Sequence, residues 1–252
     1  MRLKNRVAVV TGAGAGIGRA IAERFAREGA SVVIAEIDAQ TGKDAAQSIE
    51  AAGGQALFVP TDVSDEAQVK SLVEKTVARF GHIDVLCNNA AVLFFQDEAP
   101  AHELSSEVWD RTIAVNLRGY WLTSKYVVPV MLRQKSGSII HIASPTGIYG
   151  FTRLTAYSAS KGGVFGLMRA MAADYASRHI RVNAIVPGTI DTPMNAVELS
   201  DPVVRERYAE LTPARRLGTG EDLAGVAVFL ASDDSDYCVG SIFTVDGGLT
   251  AV

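Results

Sequence analysis

The chain has 252 residues, of which 48% are hydrophobic and 21% are charged, with a formal net charge of −4. This length can bury an ample core, and the composition argues against disorder and against fibrous repeats. The mildly acidic balance disfavours sequence-independent nucleic-acid binding, which requires a basic surface. The two cysteines form no CxxC pair, so they indicate neither a zinc site nor a disulfide framework.

The hydropathy pattern indicates neither export nor membrane insertion. The first residues lead directly into an apolar run and contain no signal segment. No apolar stretch reaches the length of a membrane span. We therefore expect a soluble, cytoplasmic protein that binds neither membranes nor nucleic acid. The four histidines show no metal-ligand spacing, so no metal is expected either.

Short β-branched runs alternate with longer helical patterns along the chain. The runs predict seven strands, at Val7–Val10, Ser31–Ala35, Ala56–Val59, Ile83–Cys87, Ser138–Ile142, Ile180–Val186 and Ile242–Val245. Helices are predicted at Ile17–Gly29, Thr41–Gly53, Asp65–Gly81, from the fourth strand to about Arg133, at Ala156–Arg178 and at Glu221–Ala231. The strands are apolar on both faces, as parallel strands covered by helices are. The sequence therefore predicts one doubly wound α/β domain over residues 1–252, with a seven-stranded parallel sheet flanked by helices.

Helix starts carry capping residues, and one long segment shows little regular pattern. Thr219 to Asp222 predicts a capping box, and Ser64 followed by Asp65 predicts another helix start. The segment from about 188 to 218 is predicted to be irregular. Connections of this length in compact domains tend to be lids or binding loops, so we expect it to bind the substrate.

A glycine-rich stretch, TGAGAGIG at residues 11–18, follows the first predicted strand and opens the first predicted helix. It does not fit the usual dinucleotide fingerprint, because its sixth position is Ile17, and it lacks the Gly-Lys-Ser/Thr ending of a P-loop. Ligands of a doubly wound sheet bind beyond the carboxyl ends of its strands. Gly12 allows a sharp turn there, while Gly16 and Gly18 allow close approach of ligand and helix, so that backbone amides can meet an anion. The alternative is a tight, glycine-rich turn without a ligand.

Polar residues end the next three predicted strands. Glu36 could accept hydrogen bonds from adenosine ribose hydroxyls and would repel a 2′-phosphate; the alternative is a solvated loop acid. Asp62, followed by Val63, could face an adenine edge or form an Asx turn. Asn89 and Ala90 follow the fourth strand, where amides can tie neighbouring strand ends together, beside a cofactor or in a purely structural role.

Tyr157 and Lys161 lie four residues apart at the start of a predicted helix, which places them on one face, about 6 Å apart at Cβ. A free phenol has a pKa of about 10, and a nearby ammonium lowers it. The pair is a candidate acid/base for an alcohol proton; the alternative is an exposed phenol beside a solvated lysine. Ser144 ends the fifth strand, where it could hold a substrate oxygen or form a turn. Asn116 lies inside a predicted helical stretch, although Asn is a mediocre helix former. It could mark a kink, hold a bound water or form hydrogen bonds within the core.

Taken together, these motifs resemble the short-chain dehydrogenase/reductase family. The resemblance rests on Thr11-Gly12-xxx-Gly16-x-Gly18, Asn88-Asn89-Ala90, Asn116, Ser144, Tyr157-xxx-Lys161, Pro187-Gly188 and Val245-Asp246-Gly247-Gly248, and it covers almost the whole chain. Each motif is weak alone, but the set is highly specific. Ala91 departs from the Gly that the family commonly has beside the cofactor. His141 stands where Asn is common, and we expect a satisfied structural histidine there.

The resemblance implies a Rossmann-type domain that binds a nicotinamide dinucleotide. It implies that Tyr157 exchanges the proton, that Lys161 lowers its pKa and holds the nicotinamide ribose, and that Ser144 positions the reacting oxygen. Asn116 would support a water that leads a proton towards Lys161. The expected cofactor-binding residues are Gly12, Ala15, Gly16, Ile17, Gly18, Glu36, Asp62, Val63, Asn89, Ala90, Tyr157, Lys161, Pro187, Gly188, Ile190 and Thr192. The resemblance also implies a homotetramer or a dimer, with which the apolar segment Ser241–Val252 is compatible.

The expected reaction is the NAD-dependent interconversion of a secondary alcohol, such as a sugar or polyol, and a ketone. NAD is expected rather than NADP because Glu36 would repel a 2′-phosphate, and neither Ala13, Ala15 nor Ile37 offers a base. Two alternatives stay open: an NADPH-dependent carbonyl or 3-oxoacyl reductase, and a dinucleotide-binding regulatory protein without turnover. The residues expected to flank the substrate are Ser144, Phe94, Phe95, Tyr149, Phe151 and Met194, with Arg153 and Asn195 nearby.

Overall fold

The computed structural model describes residues 1–251; Val252, the last residue of the apolar C-terminal segment, lies outside the described residues. Seven strands form one sheet in the order β3-β2-β1-β4-β5-β6-β7, and every neighbouring pair is parallel. The strands are β1 Val7–Thr11, β2 Ser31–Glu36, β3 Gln55–Pro60, β4 Val85–Asn88, β5 Gly137–Ile142, β6 Ile180–Pro187 and β7 Ile242–Val245. The predicted seven-stranded parallel sheet is confirmed.

Helices cover both faces of the sheet. They are α1 Gly16–Arg27, α2 Ala39–Ala51, α3 Glu66–Phe80, α4 Ser106–Ile113, α5 Gly119–Gln134, α6 Thr155–Tyr175, α7 Ala196–Leu199, α8 Pro202–Leu211 and α9 Gly220–Ala231. One apolar layer joins α1, α2 and α9 to the sheet, and the other joins α3, α5 and α6 to it. Within residues 1–251, no helix combines the length and apolarity that crossing a membrane requires.

The central strands are apolar throughout because alternate side chains enter opposite layers. In β1, Ala8 and Val10 belong to the layer that contains α1, whereas Val9 belongs to the layer that contains α5. All five residues of β1 are buried. Each fully buried Val or Ile contributes roughly 1.5–3 kcal/mol, so burial on both faces fixes the helix–sheet–helix arrangement.

The strand order reverses between β1 and β4, and this reversal positions the site. From β1 the sheet continues through β2 and β3 on one side, and from β4 through β7 on the other. Val10 accordingly pairs with Ile34 on one side and with Cys87 on the other. The chain segments that follow β1 and β4 diverge at such a point and leave a crevice at the carboxyl ends of the strands.

The segment between β6 and α9 contains two helices, α7 and α8, so the prediction of an irregular segment at 188–218 is wrong. Asp201 caps α8 by accepting the amide of Val203 at 2.8 Å, and Pro202 occupies the first turn. An Asp-Pro start is a recognised helix signal. The apolar periodicity that predicts helices is missing here, because no residue of α8 is buried.

Two predicted helix starts have different outcomes. In the predicted capping box of α9, Asp222 accepts the Thr219 amide at 2.8 Å, which confirms that prediction. The predicted cap of α3 is one residue early, because Asp65 rather than Ser64 accepts the amides of the first turn. Ser64 instead donates its amide and its hydroxyl to Asp62, at 2.9 and 2.7 Å. Asp62 therefore forms the Asx turn that its sequence position allowed.

Between α4 and α5 the helix widens into a π-helical turn at Ala114–Arg118. Such turns are frequent at functional sites. The buried side chain of Asn116, within this turn, accepts the amide of Val92 at 2.8 Å and donates to its carbonyl at 2.9 Å. Asn116 thus combines a helix irregularity with a core hydrogen-bonding role, and it fixes the segment that follows β4.

The amino terminus of α6, which carries Tyr157, is capped from a distant loop. Leu154 precedes the helix and has an apolar side chain, which cannot accept a hydrogen bond. The carboxylate of Glu98, which is 2% exposed, accepts the amides of Ala156 at 3.1 Å and Tyr157 at 2.7 Å. The positive end of the helix dipole favours a carboxylate at this position. Glu98 therefore satisfies two helix donors and fixes its own loop on the helix.

We predict that Glu98→Ala lowers the free energy of unfolding by about 2–3 kcal/mol, because two amides lose their acceptor. Urea denaturation measures this change. The matched control, Glu103→Ala, removes an exposed carboxylate from the same loop and should stay within about 0.5 kcal/mol of wild type. Equal effects of the two substitutions would contradict a stabilising role for the Glu98 contacts.

Candidate active site

The turn after β1 presents backbone amides to the crevice. Gly12 has a φ of 62°, and a Cβ there would lie 2.8 Å from the Cα of Ala90. Within the described residues, α1 begins with neither a side-chain cap nor an acid in its first turn. Its first amides and its dipole are therefore left for an anion. Gly18 serves packing, since a Cβ there would lie 2.2 Å from the Gly12 carbonyl oxygen.

A cleft of about 280 Å³, here called the first cleft, contains most of the predicted cofactor residues. Those in its lining are Gly12, Ala15, Gly16, Ile17, Glu36, Asp62, Val63, Asn89, Ala90 and Thr192. The lining residues that the sequence motifs did not assign to the cofactor are Ala35, Ile37, Thr61, Ala91, Val92, Val115, Pro193 and Met194. Across residues 1–251, Glu36 and Asp62 are the charged residues of this lining, and no basic side chain contributes to it.

Glu36, at the end of β2, is held over the glycine-rich turn. Its carboxylate accepts the amide of Gly14 at 3.0 Å. It also accepts the amides of Ile37 at 2.8 Å and Asp38 at 3.2 Å. Three backbone donors thus order the side chain, unlike that of a freely solvated acid. A carboxylate has about four acceptor sites, so roughly one is left to accept from a ligand hydroxyl.

The residues after β4 join the ends of two strands. The Asn89 side-chain amide donates to the carbonyls of Thr11 at 2.9 Å and Gly12 at 3.0 Å. The Thr11 hydroxyl accepts the backbone amides of Asn89 and Ala90, each at 3.0 Å. These bonds connect β1 and β4 at the point where the strand order reverses.

Tyr157, Lys161 and Ser144 line a second cavity, of about 210 Å³, here called the catalytic cavity. The Lys161 Nζ lies 5.7 Å from the centre of the Tyr157 ring. Ser144 follows β5, and its Oγ accepts the amide and the hydroxyl of Thr146 at 3.2 and 3.0 Å. Because both lone pairs of Ser144 are engaged, its own proton is left for donation to another oxygen in the cavity.

Lys161 is enclosed beneath the end of β5. Its side chain is 1% exposed, and Nζ donates to the Ile142 carbonyl at 2.9 Å and to the Tyr120 hydroxyl at 3.4 Å. The Tyr120 hydroxyl donates to the same carbonyl at 3.0 Å. Burial lowers the pKa of Lys161 to about 7, because the ammonium loses its hydration.

The pKa of Tyr157 differs from what the Tyr–Lys spacing predicts. Burial raises it to about 12, and the nearby hydroxyl of Ser144 lowers it only in part. The phenol is therefore protonated at neutral pH. Lys161 does not offset the burial of the phenol, because its own burial leaves it partly neutral near pH 7.

His141 on β5 is a buried, neutral ring. Burial and, secondarily, the charge of Lys161 lower its pKa to about 3. The ring stacks on Tyr120 with centres 5.5 Å apart, and its Nδ1 lies 3.2 Å from the Asn88 side-chain nitrogen. Its Nε2 has no hydrogen-bond partner within the described residues. The expected structural histidine is thus satisfied at one nitrogen only.

The catalytic cavity brings together some of the predicted substrate and cofactor residues. Its lining includes Ser144, Phe95, Phe151, Met194 and Asn195, with Pro187, Gly188, Ile190 and Thr192. Within residues 1–251, this lining does not include Phe94, Tyr149 or Arg153. Phe94 instead packs against the Arg111 guanidinium, 4.6 Å from its ring centre, and Tyr149 is 51% exposed.

The sequence motifs also do not predict five further residues that make hydrogen bonds in the site and its surroundings. They are Tyr120, Thr146, Glu98, Glu198 and Tyr208. Most of them act through contacts between residues that are far apart in the chain, which motif spacing cannot show. Thr146 is the exception, since a hydroxyl two residues after Ser144 is a local signal.

The chain is similar to known enzymes over nearly its whole length. A family model described as enoyl-(acyl carrier protein) reductase matches residues 12–250. The chain is 43% identical to the cis-4-hydroxycyclohexanecarboxylate dehydrogenase of Sinomonas cyclohexanicum, over 98% of this chain and 97% of that protein. It is 41% identical to the 3-oxoacyl-(acyl-carrier-protein) reductase FabG of Thermotoga maritima, over 99% of each protein.

A solved structure shares the fold over nearly the whole length. It superposes with a TM-score of 0.93 at 40% identity, covering 99% of this chain and 98% of that chain. That protein, from Beutenbergia cavernae, is provisionally named an NAD(P)-dependent gluconate 5-dehydrogenase and holds NADP at low occupancy. With the family model and the relatives, this match shows that the chain belongs to the short-chain dehydrogenase/reductase family and is an oxidoreductase that acts on CH–OH donors.

Proposed function

We propose that this protein is an NAD-dependent oxidoreductase that interconverts a secondary alcohol and a ketone. The observation that carries the proposal is the convergence of Tyr157, Ser144 and Lys161 on one cavity, which shares Thr192 with the first cleft. In this proposal residues 1–252 act as one cytoplasmic catalytic domain, and the segment 188–218 contacts the substrate. A homotetramer or dimer is the proposed assembly.

The residues present fit a nicotinamide dinucleotide. The uncapped first turn of α1 offers backbone amides to a diphosphate. Gly12 packs closely against Ala90, where a Cβ would clash, and both residues line the first cleft. Pro187 and Gly188 line the catalytic cavity from the end of β6. When bound, the oxidised cofactor supplies the hydride acceptor and a positive charge.

Tyr157 is the proposed acid/base. Since its pKa of about 12 keeps the phenol protonated at neutral pH, it can donate a proton to a ketone oxygen without further change. For alcohol oxidation the phenolate must be stabilised. Protonated Lys161, with Nζ 5.7 Å from the ring centre, and the Ser144 hydroxyl both favour that charge. Ser144, oriented by Thr146, also positions the reacting oxygen.

Charge favours NAD over NADP. The carboxylate of Glu36 lies at the first cleft and would repel a 2′-phosphate. Within the described chain, the lining supplies no basic side chain to pair with that phosphate. The second candidate is an NADPH-dependent carbonyl or 3-oxoacyl reductase, because one relative is a 3-oxoacyl reductase and the related B. cavernae structure holds NADP.

The proposed reaction is tested by following reduced-nicotinamide absorbance with NAD and with NADP against secondary alcohols, sugars and polyols. Turnover with NAD supports the proposal. A preference for NADP would favour the second candidate. Tight NAD binding without turnover on any alcohol would favour a regulatory protein that binds the dinucleotide.

We predict that Tyr157→Phe lowers kcat by about 10²–10⁴-fold, because the hydroxyl group that acts as the acid/base is lost while the aromatic ring remains. The Kd for NAD, measured by calorimetry, should stay nearly unchanged. The matched control is Tyr149→Phe, which removes a half-exposed hydroxyl from outside the catalytic cavity. Wild-type turnover in Tyr157→Phe would refute the acid/base assignment.

We predict that Glu36→Gln reduces the preference for NAD over NADP by about tenfold or more, because a charged acceptor for the ribose hydroxyls is lost. The ratio of the two Kd values measures the preference. Asp38→Asn is the control, since it removes a charge two residues away and Asn also caps helices well. An unchanged ratio in Glu36→Gln would mean that another group reads the ribose.

We predict that Lys161→Met raises the free energy of unfolding of the cofactor-free protein at pH 7 by roughly 1–3 kcal/mol, while turnover is lost. The variant removes a buried ammonium, and the Ile142 carbonyl keeps Tyr120 as a donor. Urea denaturation of both proteins measures the difference, with the exposed substitution Lys70→Met as control.

The pH dependence of the free energy of unfolding distinguishes the removal of a buried charge from a general packing effect. Below a pH of about 7, Lys161 is charged in the folded and the unfolded protein, so the cost of burying the charge is complete. Between about 7 and 10.5 the unfolded chain holds the proton that the folded protein has lost, so wild-type stability rises with pH. The advantage of Lys161→Met should therefore shrink over this range. A constant difference would contradict the lowered pKa of Lys161.

A further inference from the structure

The catalytic cavity contains a carboxylate that the proposed reaction does not use. Glu198 of α7 and Tyr208 of α8 both line this cavity. The Tyr208 hydroxyl donates to Glu198 Oε1 at 2.6 Å. Burial and, secondarily, this hydrogen bond raise the pKa of Tyr208 to about 12, so the phenol stays protonated and orients the carboxylate.

Most of the accepting capacity of Glu198 is left for a ligand. Within residues 1–251, the Tyr208 hydroxyl is its one hydrogen-bond donor, and no basic side chain forms an ion pair with it. An ionised carboxylate has about four acceptor sites. Glu198 can therefore accept hydrogen bonds from a hydroxyl group of a molecule bound in the cavity.

The arginines of the segment between β6 and α9 do not neutralise Glu198. Arg205 and Arg216 form ion pairs with the carboxylates of two aspartates. The charge of Arg207 acts on Tyr208, but Arg207 is exposed and does not line the catalytic cavity. Arg215 donates to the backbone carbonyl of Glu210. Within residues 1–251, the carboxylate of Glu198 therefore lines the cavity without an ion-pair partner.

Lys161 is the one cationic side chain in the lining of the catalytic cavity, over the described range 1–251. Its Nζ donates to the Ile142 carbonyl and the Tyr120 hydroxyl, beneath the end of β5. Burial lowers its pKa to about 7, so it does not provide a fixed positive charge. A carboxylate on the substrate would share the cavity with Glu198, and the lining would offer it no fixed cationic side chain, which costs free energy.

We propose that the catalytic cavity takes an uncharged secondary alcohol with a second hydroxyl group, and that Glu198 accepts a hydrogen bond from this second hydroxyl. The inference rests on the proposed alcohol–ketone interconversion, in which the first hydroxyl lies at Tyr157 and Ser144. The carbon skeleton between the two hydroxyls meets Phe95 and Phe151, which line the same cavity. Small diols and polyols suit this arrangement, whereas hydroxy acids of the same size are disfavoured.

A pair of matched compounds tests the proposal. The first is cis-4-hydroxycyclohexanecarboxylate, and the second is its analogue in which a hydroxymethyl group replaces the carboxylate. The kcat/KM of both is measured for the wild-type protein, for Glu198→Gln and for Glu206→Gln. The last variant makes the same change at an exposed position of α8 outside the cavity. Glu198→Gln keeps the size of the side chain and removes its charge.

We expect wild type to prefer the hydroxymethyl compound by about tenfold or more, the size of a hydrogen bond to a charged group. Glu198→Gln should lower kcat/KM for this compound and raise it for the carboxylate, so that the preference shrinks about tenfold. Glu206→Gln should keep the wild-type preference. Equal or better use of the carboxylate by wild type, or an unchanged preference in Glu198→Gln, would overturn the proposal.

Binding measurements separate this inference from the proposed reaction. Calorimetry gives the Kd of each compound for the NAD-loaded protein and for NAD-loaded Glu198→Gln, whether or not turnover occurs. Tighter binding of the hydroxymethyl compound that depends on Glu198, without turnover of any secondary alcohol, would support the carboxylate site and refute the reaction. Turnover of secondary alcohols, without any dependence of binding on Glu198, would support the proposed reaction and overturn the carboxylate site. Binding of neither compound would overturn the inference.

Discussion

Parallel pairing of all seven strands brings their carboxyl ends to one edge of the sheet, and the whole site depends on this constraint. The glycine-rich turn follows β1, Glu36 ends β2, Ser144 follows β5 and Pro187 ends β6. Parallel strands need crossover helices, which bury both faces of the sheet. The strand ends are then where polar groups from distant parts of the chain can converge at a solvent-accessible crevice, and the reversal between β1 and β4 opens that crevice.

Burial controls the protonation states at the centre of the site. Burial raises the pKa of Tyr157 to about 12 and lowers that of Lys161 to about 7, because it disfavours the charged form of each group. The pair is thus largely neutral between pH values of about 7 and 12. A positive charge beside the phenol acts in a poorly screened environment, so it changes the proton affinity of Tyr157 more than it would in water.

The sequence predicts the parts of this molecule that depend on local spacing and composition. Apolar runs predict the strands, and the confirmed sheet places the glycine-rich turn and the polar strand-end residues at one edge. The cap of α6 by Glu98 and the Glu198–Tyr208 pair join elements whose relative positions follow only from the tertiary fold. Helix α8 was missed because its exposed surface has no apolar periodicity. Neighbouring residue types reveal the attractive charge of Lys161 beside Tyr157, but they do not reveal the loss of water that raises the pKa of the phenol to about 12.

The contact between Glu98 and α6 has a consequence for redesign. The loop that carries Glu98 also carries Phe95, which lines the catalytic cavity, so one short segment both shapes the cavity and caps the helix of Tyr157. A loop transplanted from a homologue to widen the substrate range would import new cavity walls and would keep the cap only if it carried a carboxylate at the position of Glu98. Directed evolution of this enzyme should therefore randomise the aromatic positions of the loop while the buried glutamate stays constant.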